Sequence, residues 1–107
     1  RFEEDFIMIR HIVFWKLKDK TEDGTLLENA AAIKAGLEGL VGKIDGLLKA
    51  EVTVSLTPGE GGYDLWLYSE VRDAEALAFY RDHPLHKAVQ ALVHRSMTER
   101  VAFDGEI

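Results

Sequence analysis

The chain has 107 residues, 47% of them hydrophobic and 30% charged, which is the size and make-up of one folded domain and not of two domains, a disordered tail or a fibre. A formal charge of -6 repels phosphate backbones and anionic bilayers, and no basic stripe reverses it locally, so no nucleic-acid or membrane partner is expected. Without cysteine there is no disulfide, thiolate metal site or cysteine nucleophile; with no apolar run of about 20 residues and an acidic start, the expected location is cytoplasmic.

Met8 opens the first periodic segment. The domain is therefore expected to span residues 8–107, with residues 1–7 an upstream extension or expression scar that carries no function. From Ile9 to Leu17 the pattern has period 2 with apolar side chains on both faces, which predicts a strand buried on two sides. After the polar stretch Lys18 to Gly24, the residues Leu26, Ala30, Ile33, Leu37 and Leu40 form one stripe of an amphipathic helix. Glycines 36, 39 and 42 weaken it, by up to roughly 1 kcal/mol each relative to alanine.

A second strand is predicted from Leu48 to Leu56, with Val52, Val54 and Leu56 alternating against Glu51, Thr53 and Ser55. It ends in the turn-rich loop 57–62. The third, Tyr63 to Val71, is its antiparallel neighbour. Asp73 can cap a helix carrying Leu77 and Tyr80, which Pro84 interrupts after His83. A further helix bears Leu85, Val89, Leu92 and Val93. A last strand runs from Met97 to Phe103, with Met97, Val101 and Phe103 on one face. The order β-α-β-β-α-β is the ferredoxin-like split βαβ arrangement: an α+β fold with a four-stranded antiparallel sheet and both helices on one face. The other face offers on the order of 350 Å². Its apolar side chains, with Val54 counted among them, call for a cover, and a second copy of the chain supplies one: a homodimer through the sheet face, enclosing a barrel-like interior.

Three segments in this order and spacing, His11-Ile12-Val13-Phe14-Trp15-Lys16-Leu17, Gly62-Tyr63-Asp64-Leu65 and Tyr80-Arg81-Asp82-His83-Pro84-Leu85-His86, resemble the stress-responsive A/B barrel (Dabb) family from Met8 to the end. The resemblance implies a dimeric α+β barrel that works without a cofactor. It also implies two catalytic positions, because one plant member is a polyketide cyclase that uses the Tyr and the His of a Tyr-x-x-His-Pro-x-His segment. By motif these are Tyr80 and His86. Where that enzyme has a second histidine after the Gly-Tyr of the third strand, this chain has Leu65, and Trp66 and Tyr68 beside it alter whichever cavity they line. Cofactor-free quinone-forming monooxygenases and haem-degrading enzymes belong to the same superfamily.

The residue chemistry fits such a site. A phenol can polarise a carbonyl and an imidazole can remove the proton beside it at neutral pH. His11, Trp66 and His83 are candidate substrate-binding residues for a small hydrophobic ligand. The bland reading has His83 as an N-cap ahead of Pro84, with His11 and His86 as hydrogen-bonded core histidines. His83 and His86 at i, i+3 lack a clear third ligand, so no metal site is expected. Two functions stand side by side: a small-molecule-binding domain, acting as a cofactor-free enzyme on a small carbonyl or polyketide-like substrate, and a non-catalytic dimeric stress-response module. A fully packed interior around Tyr80 and His86 favours the second.

Overall fold

A computed structural model describes residues 7–107, so the extension expected over residues 1–7 lies, apart from Ile7, outside the described residues. The elements are β1 (Ile9–Leu17), β2 (Lys20–Thr21), β3 (Gly24–Thr25), α1 (Leu26–Glu38), β4 (Leu47–Val54), β5 (Leu65–Val71), α2 (Ala74–Asp82), α3 (Pro84–Ser96) and β6 (Met97–Glu106). Four of the strands form one antiparallel sheet in the order β4-β5-β1-β6, and β2 and β3 pair in a separate small hairpin within the segment read as merely polar. This is the expected ferredoxin-like α+β arrangement, with all three helices over one face of the sheet.

Local chemistry sets the helix ends. Thr25 caps α1 in a capping box: its hydroxyl accepts from the Glu28 amide and the Glu28 carboxylate accepts from the Thr25 amide. Gly36 lets α3 close onto α1, since a Cβ there would stand 3.0 Å from Val89 Cγ1. The Gly46 turn, at φ +86°, admits no Cβ either, because Ala76 Cβ would be 2.6 Å away. The core between helices and sheet takes Val13, Trp15 and Leu17 from β1 and Ile33 and Leu37 from α1, together with Leu65, Leu67 and Val71 from β5.

Buried Asp64 ties the end of the sheet together. Its carboxylate accepts from the Leu17 amide at 2.8 Å and the Gly59 amide at 2.7 Å, and its own amide donates to the Trp15 carbonyl at 2.8 Å. The Gly-Tyr-Asp-Leu segment is thus a structural fastening between β1, β5 and the turn-rich loop.

Three expectations change. First, β1 is buried on one side: His11, Val13, Trp15 and Leu17 lie under the helices, whereas Ile12, Phe14 and Lys16 face outward in the single chain. Second, Val54 pairs with Leu65 and packs against the core under the helices, so it does not belong to the open face; Leu56 lies beyond the strand, fully exposed. Third, a register shift next to Leu17 pairs Leu17 with Met97 but Lys16 with Glu99, which turns Met97 to the helix side while Val101 and Phe103 stand on the open face. A period-2 reading cannot see a bulge, because the extra residue reverses the parity of everything after it.

Candidate functional site

The two histidines and the tyrosine singled out in the sequence meet under the helix break. Tyr80, on the last turns of α2, is fully buried. The His86 ring, in the first turn of α3, lies 4.2 Å from the Tyr80 ring, centroid to centroid, at 34°. His11, on the helix face of β1, approaches the same ring edge-on at 6.1 Å. Pro84 produces this geometry. It cannot continue α2, so His83 turns out to an extended backbone (φ -65°, ψ 133°) and α3 restarts with His86 swung back over Tyr80.

Hydrogen bonds fix which nitrogen of each ring is basic. His11 Nδ1 stands 2.5 Å from Asp104 Oδ1, and His86 Nδ1 stands 3.3 Å from the Arg81 carbonyl oxygen. A carboxylate and a carbonyl can only accept, so in the neutral rings Nδ1 carries the proton and Nε2 keeps the lone pair. The other Asp104 oxygen pairs with Arg81, whose guanidinium is 2.5 Å away. Burial holds His11 below the ordinary histidine value and outweighs the opposing pull of Asp104. Burial likewise lowers His86 against its hydrogen bond to the Arg81 carbonyl, and the Arg100 charge pushes both rings the same way. Both are therefore neutral bases at pH 7. Burial pushes the Tyr80 phenol well above its ordinary value, so it stays protonated. Its hydroxyl has no hydrogen-bond partner, a condition that costs about 1–3 kcal/mol in a folded protein.

The remaining sequence candidates stand elsewhere. His83 is the N-cap of α3: its Nδ1 accepts from the Leu85 amide at 3.1 Å, and its ring meets Phe79 edge-on at 5.5 Å. Trp66 stands on the opposite face of the sheet, beside Phe14 and Tyr68, and lines a shallow cleft of about 470 Å³ with Phe14, Thr53 and Tyr63. The sheet separates it from Tyr80 and His86. Sequence reasoning passed over Asp104 and Arg81. The one signal that could have found Asp104 is its place on a β6 strand next to β1, but only the register puts it opposite His11. Among the described residues no group of three or more His, Asp or Glu side chains is placed to hold a metal ion.

A four-stranded antiparallel sheet with its helices on one face, and an acid–base cluster between the two layers, defines an α+β domain of ferredoxin-like class. The chain belongs to the family described as Stress responsive A/B Barrel Domain, whose model matches residues 9–107. An uncharacterized protein of Streptomyces coelicolor is 36% identical over 87 residues, covering 79% of this chain and 86% of the relative. A dimeric protein of unknown function from Bacteroides fragilis superposes with a TM-score of 0.80 at 31% identity, over 94% of this chain and 96% of its own. A hydroxynitrile lyase from Passiflora edulis shares the fold, with a TM-score of 0.76 at 14% identity over 94% and 93% of the two chains.

Proposed function

We propose that this chain is a small-molecule-binding domain that uses Tyr80 and His86 for proton transfer next to a carbonyl, without a cofactor. The observation that carries the reading is the buried Tyr80, its hydroxyl unpartnered and its ring stacked on that of a neutral histidine whose Nε2 is the free base. In this scheme His86 Nε2 takes the proton from the carbon beside the carbonyl. The Tyr80 hydroxyl meanwhile donates to the carbonyl oxygen, where the electron pair of the broken C–H bond collects. His11, oriented by Asp104, lies close enough to bind the substrate or relay the proton. His83 contributes only by starting α3, and Trp66, on the outer face of the sheet, has no part in this site.

The same proposal makes the functional unit a homodimer. The open face carries Phe14, Val101 and Phe103 at 37%, 50% and 66% exposure, beside Trp66 and Tyr68, and a second sheet would cover them. The dimeric relative from B. fragilis supports this. The non-catalytic reading also has an observation behind it, the complete burial of Tyr80, which fits a side chain that only shapes the helix break.

The two readings are separated by deuterium wash-in at the α-carbon of simple aryl alkyl ketones in D₂O, followed by NMR, an assay that needs no knowledge of the natural substrate. The proposal expects exchange faster than buffer, lowered roughly 10²-fold or more by His86→Ala and by Tyr80→Phe. The double variant should lose less than the product of the two. Exchange equal to buffer for the wild type, or unchanged in a folded single variant, sinks the acid–base role.

A further inference from the structure

Arg81 reaches both histidines of the cluster, by two different routes. The main-chain route follows from Pro84. In an unbroken helix the Arg81 carbonyl would accept from the Leu85 amide; here that amide donates to His83 Nδ1, and the carbonyl is left to His86 Nδ1 at 3.3 Å. The side-chain route runs through Asp104. The Arg81 guanidinium is 2.5 Å from Asp104 Oδ2, and Asp104 Oδ1 is 2.5 Å from His11 Nδ1.

This second route leads from water into the core: the Arg81 side chain is 52% exposed, that of Asp104 30% and that of His11 6%. An ion pair as open as Arg81–Asp104 adds little to stability. Its inner end, however, meets a nearly buried imidazole, whose charge state depends on what balances it. With His11 neutral, the charges of Asp104 and Arg81 cancel, and protonating His11 would put an uncompensated positive charge on a buried ring. Without Arg81 the balance reverses, because a neutral His11 leaves the Asp104 carboxylate unmatched and an imidazolium neutralises it. The Arg100 charge pushes in the same direction as Arg81, and Tyr80 and His86, the other titratable groups of the cluster, are uncharged at pH 7.

We propose that Arg81 is a positioning residue that clamps Asp104 against His11 and keeps His11 neutral at pH 7, with Nε2 free to accept a proton. Only the use of that second base rests on the Tyr80–His86 reading: a neutral imidazole can take up and pass on the proton, whereas an imidazolium can only donate. Arg81 itself meets no reacting atom.

The test reads the histidine rings directly, by two-bond ¹H–¹⁵N NMR of the labelled protein from pH 4.5 to pH 9 with no substrate present. A His11→Gln sample assigns the His11 signals. In the wild type His11 should be the Nδ1–H tautomer at pH 7 and titrate below the ordinary value of about 6.5. Arg81→Gln should raise the His11 midpoint by about one pH unit or more, roughly tenfold in proton affinity. Arg81→Lys, which keeps the charge, should recover much of the wild-type midpoint. Adding Asp104→Asn to Arg81→Gln should lower it again, since the clamp acts through that carboxylate. A midpoint that stays put in folded Arg81→Gln, rises equally in Arg81→Lys, or rises as far with Asp104→Asn present overturns the clamp and leaves the Tyr80–His86 reading intact. The expected titrations in a protein that exchanges no ketone deuterium keep the clamp and remove the acid–base role.

Discussion

Replacing Tyr80 by Phe should make the protein more stable while disabling it. The ring is fully buried and stacked 4.2 Å from His86, and Phe retains all of that contact. What disappears is a hydroxyl with no partner, whose burial costs about 1–3 kcal/mol. Against this stands the dispersion lost at the small gap left behind, a fraction of a kcal/mol for a single heavy atom. The balance is a gain of roughly 0.5–2.5 kcal/mol, and a domain of this size rises by about 4 °C or more in Tm for each kcal/mol. Scanning calorimetry at one fixed protein concentration, which holds constant any contribution from the proposed dimer, measures it. A purely structural tyrosine behaves in the opposite way, since deleting a satisfied buried hydroxyl lowers Tm. A fall of several degrees in Tyr80→Phe would show that the hydroxyl is partnered in the folded protein, and the argument from an orphaned donor would fail with it.

Stability should also depend on pH in a defined window. His11 and His86 have folded values below the unfolded 6.5, so the unfolded chain binds more protons between those values, and stability falls as pH drops through about 6.5 and is flat above neutrality. Melting curves from pH 8 to pH 5 check this, and a His11→Gln, His86→Gln double variant should flatten the profile; an unchanged slope in that variant refutes the assignment. At the open face, Phe103→Asp places a charge where the second sheet would lie and should give a folded monomer, because burying an unpaired carboxylate costs several kcal/mol. Light scattering at micromolar concentration that still reports a dimer excludes this interface.

Much of the fold was written in periodicity. The alternation from Ile9 to Leu17 matches β1 residue for residue, and the stripe from Leu26 to Leu37 matches the buried side of α1, because one-sided burial imposes a period of two or 3.6 on any chain that obeys it. The break at Pro84 and the N-cap role of His83 are equally local, since a proline removes an amide and restricts its neighbour wherever it stands. Contacts between segments remote in the chain were not determined locally. Asp104 is 93 residues from His11, and only the β1–β6 register makes them partners. The bulge by Leu17 reversed the expected face of Met97, and the pairing of Val54 with Leu65 moved it from the open face to the core. The unpartnered donors of Tyr80 and Trp15 are properties of a filled interior: a lone pair or an N–H is orphaned only once the whole fold has closed over it and excluded water.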